Sequence, residues 1–400
     1  MGRTLDHGAS GTHHGRREGA TGQTPAADRL AGGRADPAKL AGRASVRANG
    51  IGLTRATKQR LIRIVVVGLL TVVLAGGTLA GWFVHQLHRR YAGWTGDHVD
   101  VVLEPGMSAS AVLKRLAEAR VLERPRIARA YLSWTGGGAQ LQAGEYRFHE
   151  PSGSLDVLAR LREGDVLLHE VTVPEGLDLE QVADLVAAAG FAGSETLLAA
   201  FAQTSSIAKH DPDATDLEGY LFPDTYRFSR DAGADSIADR MVRQFERAVG
   251  DDYAARAKVA GLTVREAVTL ASLIEEETSV PDERRRISAV FHNRLARRVP
   301  LQCDPTVRYA LKREGRPVDK LYSKHLQFDS PYNTYRYPGL PPGPIANPGK
   351  ASLDAAVEPI ESRELYFVAL PGRAGHAFSE TLEQHNRAVA RWRAYLRSSR

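Results

Sequence analysis

From Ile64 to Val84 the chain runs IVVVGLLTVVLAGGTLAGWFV, about 21 residues without a charge. At 1.5 Å per residue a helix of that length matches a hydrocarbon core of roughly 30 Å, so residues 61–84 are expected to form a transmembrane helix. A buried helix of a soluble core usually keeps a polar stripe, and a cleavable signal peptide has a shorter apolar run nearer the N-terminus. Beyond the span the period changes. His98 to Leu103 (HVDVVL) alternates as a strand, turns at Glu104-Pro105-Gly106, and enters a helix at Ser108 with Val112, Leu113 and Leu116 at helical spacing. The plan returns 70 residues later in HEVTVPEG (169–176) and the stretch Leu177 to Ala189, so that Gly106 and Val112 correspond to Gly176 and Val182. One recurrence fits duplication and coincidence equally well.

After residue 170 helical periodicity dominates, over 178–190, 195–202, 235–249, 263–279, 282–297 and 379–397, with long Pro/Gly/aromatic loops at 210–228 and 328–349. Loops that long inside a compact domain are often functional. Thr263-Val264-Arg265-Glu266 fits a capping box, and Ala267, Leu270, Ala271 and Ile274 follow on one face. Glu275 continues the row of Ala267 and Ala271, whereas Glu276 and Glu277 point roughly 100° and 200° away. One carboxyl is therefore expected at the core edge and two in water. A carboxyl beside apolar walls keeps its proton to higher pH and can serve as a general acid, which singles out Glu275, although a run of Glu can equally be a solvated helix end.

Charge divides unevenly. Residues 1–60 hold 11 Lys/Arg against 4 Asp/Glu, a balance of +7, and the rest of the chain sums to −1 of the total +6. No basic groove for nucleic acid is implied for the folded part. The Gly/Ala/Arg-rich start cannot bury a core and is expected to be disordered, and its excess of Lys/Arg places it in the cytoplasm and residues 85–400 outside. The lone cysteine, Cys303, excludes an intrachain disulfide and reads as a small apolar filler. No metal-ligand cluster is visible, since His7–His14 and His85–His88 fall outside the region of the helical patterns.

Several segments resemble one known family. Residues 101–165, through VVLEPGMSASAVLKRL and LQAGEYRF (141–148), resemble the LysM-like module that precedes the catalytic domain of YceG-like proteins. LASLIEEETSV (270–280) closely resembles the active-site helix of those endolytic murein transglycosylases. LEGYLFPDTYRF (217–228), VFHNRLARRVPLQCDPTVRYAL (290–311), DSPYNTYRYPGLPPGPIANPG (329–349) and ELYFVAL (364–370) follow in the family's order. The resemblance implies an α+β chain: a disordered basic cytoplasmic segment (1–60), a single transmembrane helix (61–84), a small LysM-like module (95–168) and a mainly helical, lysozyme-like catalytic domain with long loops (169–400).

It also implies a lytic transglycosylase that needs no cofactor, with Glu275 matching the family's catalytic glutamate. That residue would protonate the MurNAc–GlcNAc bridging oxygen and then take the C6 hydroxyl proton, closing a 1,6-anhydro ring, where ordinary glycosidases use two carboxylates. Substrate contacts are expected from Ser330, Tyr332, Asn333, Thr334 and Tyr335, aromatic faces for sugar rings and the Asn333 amide for an N-acetyl group, with Gln302, Asp304 and Tyr226 as further candidates. Asp304 could instead cap a helix. Glu218, Asp224 and Tyr226 are expected to pin the first long loop, and Asn293 and Arg294 to hold the helix 282–297 against its neighbours. The implied partners are glycan strands and penicillin-binding proteins. A non-catalytic wall-binding scaffold would need the aromatic loops but not Glu275. A small-molecule lyase of the cofactor type would need a Schiff-base lysine and a phosphate loop, and neither pattern is present.

Overall fold

The computed structural model describes residues 55–398; residues 1–54 of the basic segment lie outside them. The apolar run sits inside one continuous helix, α1 (Arg55–His88), whose polar ends extend beyond it because Arg55–Arg63 and His85–His88 have no helix breaker among them. It is the one helix among the described residues long and apolar enough to cross a membrane.

A first core follows. Strand β1 (Val99–Leu103) leads into α2 (Ala109–Glu118), α3 (Pro125–Thr135), β2 (Gly144–Phe148) and α4 (Ser154–Glu163). β1 and β2 pair antiparallel, and Leu103, Leu116, Tyr146, Phe148, Leu158 and Leu161 are fully enclosed between sheet and helices. Each such side chain contributes about 1.5–3 kcal/mol on burial.

The second core begins with β3 (Leu168–Thr172), α5 (Leu179–Ala188) and α6 (Ser194–Phe201), then β4 (Thr225–Ser229), α7 (Ala234–Val249), α8 (Tyr253–Val259) and α9 (Val264–Glu277). It continues through α10 (Arg284–Ala296), α11 (Asp304–Arg313) and α12 (Lys350–Val357), and closes with the β5 (Tyr366–Ala369) and β6 (His376–Ser379) hairpin and α13 (Leu382–Ser398). β3 pairs with β4, and β5 with β6, both antiparallel. The chain is thus a mixture of helix and sheet with an apolar N-terminal helix.

The recurrence seen in the sequence runs deeper in three dimensions. Gly106 (φ 81°) and Gly176 (φ 83°) make the same left-handed turn after β1 and β3, a conformation glycine adopts without steric penalty. Two residues on, Ser108 and Asp178 each cap the next helix with a side-chain oxygen. Asp100 faces Arg147 across the first strand pair and Glu170 faces Arg227 across the second, each an ion pair. Tyr146 and Tyr226 occupy matching buried places beside Val101 and Val171, and each hydroxyl donates to the carbonyl four residues earlier. Six matched positions favour duplication over coincidence.

Three expectations need correction. The first long loop ends in a strand, β4, because Tyr226 and Phe228 point inward while Thr225 and Arg227 point out. α8 and α12, of seven and eight residues, are too short for a period to register in sequence. Asp304 is the first residue of α11 rather than its cap; Cys303 holds the cap position without a side-chain bond, and Pro305 fits the first turn.

Candidate active site

Helix α9 runs through the middle of the second core. Its capping box forms as the sequence indicates, Glu266 N–H donating to Thr263 Oγ1 and Thr263 N–H to Glu266 Oε2. Every residue from Ala267 to Ile274 is buried. Small side chains at Ala267, Ala271 and Ser272 let neighbouring backbone come close, and Ile345 N–H donates to Ser272 Oγ at 3.1 Å. The helix leaves the core at its last turn, where the three glutamates stand and diverge.

Glu275 has only 8% of its side chain exposed. Its Oε2 accepts the Gly349 N–H at 3.0 Å, at the N-terminal end of α12, where the helix dipole favours a negative charge. Its Oε1 lies 3.5 Å from Arg284 Nη2. Arg284 is itself buried and steadied by Nε donating to Ser352 Oγ at 3.1 Å. A second carboxylate shares that guanidinium: Glu175 Oε2 is 3.9 Å from the same Nη2. Gly349 makes room for it, since a Cβ there would fall 1.8 Å from Glu175 Oε1. Burial and the Glu275 carboxylate push the Glu175 pKa up, with Arg284 opposing. The expected apolar walls around Glu275 are replaced by an arginine, a backbone N–H and another carboxylate.

Glu276 lies on the rim of a cavity and reaches water. Loss of water on its protein side, followed by Glu275, Asp178 and Glu277, raises its pKa to about 7, with Arg308 opposing. Glu277 does not point into water. It is half-buried and hydrogen-bonded by the Cys303 thiol, and burial raises its pKa. The sequence pattern missed this because the cover over Glu277 comes from the 301–304 segment, far along the chain.

Two adjoining cavities extend from this end of α9. One, of about 180 Å³, is lined by Gly176, Glu276, Arg308 and Ile345 among others; the second, of about 270 Å³, reaches Glu218 and Arg313. They share Asp178, Tyr309 and Lys312, whose ammonium pairs with the Asp178 carboxylate. Together they form a polar trench with an aromatic wall. Glu218 is buried beneath it, its pKa pushed up to about 8 by desolvation. It accepts from Leu179 N–H, Tyr309 Oη and Asn347 Nδ2, and so ties α5 to both long loops.

The remaining sequence candidates divide by exposure. Gln302 and Asp304 are exposed, and Ser330, Tyr332 and Tyr335 half-buried. Gln302 carries φ 53°, a left-handed conformation a side chain adopts only when its surroundings impose it. Here they do, through Gln302 N–H donating to Thr334 O at 3.1 Å. Tyr335 Oη donates to Asp304 Oδ1 at 2.6 Å. Tyr332 packs 5.1 Å from Tyr309, centroid to centroid, at the trench. Asn333, Thr334 and Tyr226 are buried and engaged. The Asn333 amide donates to Leu326 O and Phe328 O, Thr334 Oγ1 accepts from Cys303 N–H, and Tyr226 holds its duplicated place in the sheet. Gln244 Nε2 donates to Asp224 Oδ2 at 2.6 Å. Asn293 donates to Ser362 O and Glu364 O, and buried Arg294 to the carbonyls of Leu365, Pro300 and Leu301. Glu175, Arg284, Gly349 and Ser352 were not singled out in sequence. The Pro-Glu-Gly turn was the available signal for Glu175, since its copy at Glu104-Pro105-Gly106 orders the residues differently.

Known proteins agree with this architecture. A Bacillus subtilis protein named endolytic murein transglycosylase is 34% identical over 310 residues, covering 74% of this chain and 84% of its own. One of the same name from Streptococcus pneumoniae is 29% identical over 321 residues, covering 73% of this chain and 58% of its own. A crystal structure of a YceG-like protein from Listeria monocytogenes superposes with a TM-score of 0.50 at 32% identity, covering 73% of this chain and 99% of its own. The YceG-like family matches residues 101–391, and this chain belongs to that family.

Proposed function

We propose that the chain is an endolytic murein transglycosylase that cleaves the MurNAc–GlcNAc bond of peptidoglycan strands to leave 1,6-anhydro-MurNAc ends, anchored by α1 with its N-terminus in the cytoplasm. The observation that carries this reading is Glu275: a largely buried carboxylate at the end of a buried helix, fixed from both sides by Gly349 N–H and Arg284, and next in the chain to Glu276, which lines the polar trench. A pure scaffold has no use for a carboxylate held this way.

Two carboxylates share one guanidinium, and burial with the neighbouring Glu275 carboxylate raises the Glu175 pKa. Glu275 acts as the acid, delivering a proton to the bridging oxygen as the bond breaks. Arg284 and Gly349 N–H then hold the resulting carboxylate, which removes the C6 hydroxyl proton as that oxygen attacks C1. The muramyl N-acetyl carbonyl can stabilise the oxocarbenium-like centre. The glycan lies along the trench, with Gln302, Asp304, Ser330, Tyr332 and Tyr335 as its contacts, while Asn333, Thr334 and Tyr226 shape the walls. Residues 95–168 serve as a LysM-like module and 169–400 as a lysozyme-like catalytic domain. Penicillin-binding proteins that polymerise the strands are the partners this chemistry fits.

The test is digestion of purified strands by the full chain and by Glu275→Gln, with products weighed by mass spectrometry. The wild type yields internal fragments with anhydro ends, and the variant is slower by about 10²–10⁴, the worth of a general acid–base. Reducing ends would mean a hydrolase, and equal activity of the two proteins would remove Glu275 from the mechanism.

A further inference from the structure

Helix α3 buries Ala128 and Leu132 against the first core and turns its other side outward. On that side Arg126, Ala130 and Trp134 form one row at spacing four, with Arg129 beside it. Trp134 is 83% exposed, and the apolar side chains beside it make it part of a patch rather than a lone surface aromatic. Its surroundings say which kind. Trp134 and Ala130 line an apolar cavity of about 550 Å³ whose other walls include Leu79, Trp82 and Phe83 of α1. Those α1 residues belong to the charge-free run, so whatever medium surrounds them also fills that cavity.

The module is held close to this end of α1. Leu87, three residues past Val84, is 2% exposed; Arg89 pairs with Glu123 at 3.5 Å, and Gly93 N–H donates to Arg120 O at 3.0 Å. Three residues of helix advance only about 4.5 Å, so α3 stands at the height of a membrane interface. Charge agrees. Arg147 and Arg160 of the same module pair with Asp100 and Asp165, and Lys114 with Glu118, but no ion pair engages Arg126 or Arg129 among the described residues. Tryptophan beside arginine is the composition that settles at the headgroup level, where each cation gains from anionic phosphates.

We propose that the first module docks on the bilayer surface through α3, with Trp134 in the lipid interface and Arg126 and Arg129 on anionic lipid headgroups. This rests on the reading of α1 as a membrane span, and the two can fail separately. The full chain is reconstituted into phosphatidylcholine vesicles with and without phosphatidylglycerol, some carrying brominated acyl chains. Trp134 emission is isolated as the difference between wild type and Trp134→Phe, and Trp82 emission by Trp82→Phe. Because Trp134 is exposed, its replacement leaves the core untouched. The expected result is loss of most Trp134 emission to bromolipid, stronger with phosphatidylglycerol, that gain being lost in the Arg126→Ala/Arg129→Ala variant. Quenching of Trp82 without Trp134 overturns the docking while leaving the span. Failure of the chain to float with vesicles overturns the span and the docking with it. Quenching indifferent to both lipid charge and the two arginines overturns the headgroup contact.

Discussion

Gly349→Ala separates the two carboxylates of the site without touching either. The new Cβ would fall 1.8 Å from Glu175 Oε1 and 2.1 Å from its Cδ, so the Glu175 side chain must swing away. The backbone itself accepts alanine, since φ −74° and ψ 167° are ordinary extended values, and the N–H that holds Glu275 stays in place. Glu175 is 49% exposed and can turn into water at little loss. At the observed 3.9 Å, a fully formed charge pair at an effective dielectric near 20 would amount to about 4 kcal/mol. With half of the side chain in solvent, about 0.5–1 kcal/mol survives. Once Glu175 leaves, Glu275 keeps the Gly349 N–H and Arg284 but loses the second carboxylate beside the guanidinium. Losing that interaction should lower kcat/KM by about 2–5-fold, the equivalent of about 0.5–1 kcal/mol. The assay is strand cleavage by wild type, Gly349→Ala and Glu175→Gln, with thermal melting of each. Glu175→Gln should lower the rate in the same way. Unchanged cleavage in both variants, with melting intact, would refute the shared-guanidinium argument, and a rise in both would refute its sign.

Other outcomes follow from single residues. Gln302→Gly relieves a left-handed backbone worth about 1 kcal/mol, so melting should rise by about 2–4 °C, while cleavage falls roughly tenfold with the lost glycan hydrogen bond; activity equal to wild type would remove Gln302 from the trench contacts. Arg294→Met abandons three carbonyl acceptors and should lower stability by about 3–5 kcal/mol, read as a fall in the thermal midpoint. Glu218 has a folded pKa of about 8, above its ordinary 4.5. Its contribution to stability is therefore complete below that ordinary value and is lost as pH climbs through the folded one. Denaturant titrations at several pH values should show wild type weakening over that window relative to Glu218→Gln, and parallel curves would contradict the burial argument.

Periodicity carried α9 well, because a capping box and a one-faced apolar row are local properties, and the same row pointed to Glu275. What it could not carry was the company Glu275 keeps. Arg284, Gly349 and Glu175 come from three separate stretches and meet only after α12 packs along α9, so no spacing encodes them. The misplacement of Glu277 has the same origin: helical phase tells which way a side chain points but not what another segment lays over it. For Asn333 the residue type suited a sugar, yet the loop's own carbonyls claim its amide first, as backbone groups cut off from water must.

The paired frames of β1–α2–β2 and β3–α5–β4 hold a comparison inside one molecule. A Cβ on Gly106 would meet nothing within 4 Å, whereas one on Gly176 would come within 3.1 Å of Glu276 Oε1. Both glycines bend the backbone alike, so the turn alone cannot distinguish them, and only the second has chemistry leaning against it. One copy is thus a natural blank for the other: whatever constrains both belongs to the architecture, and whatever constrains only the second must come from outside it.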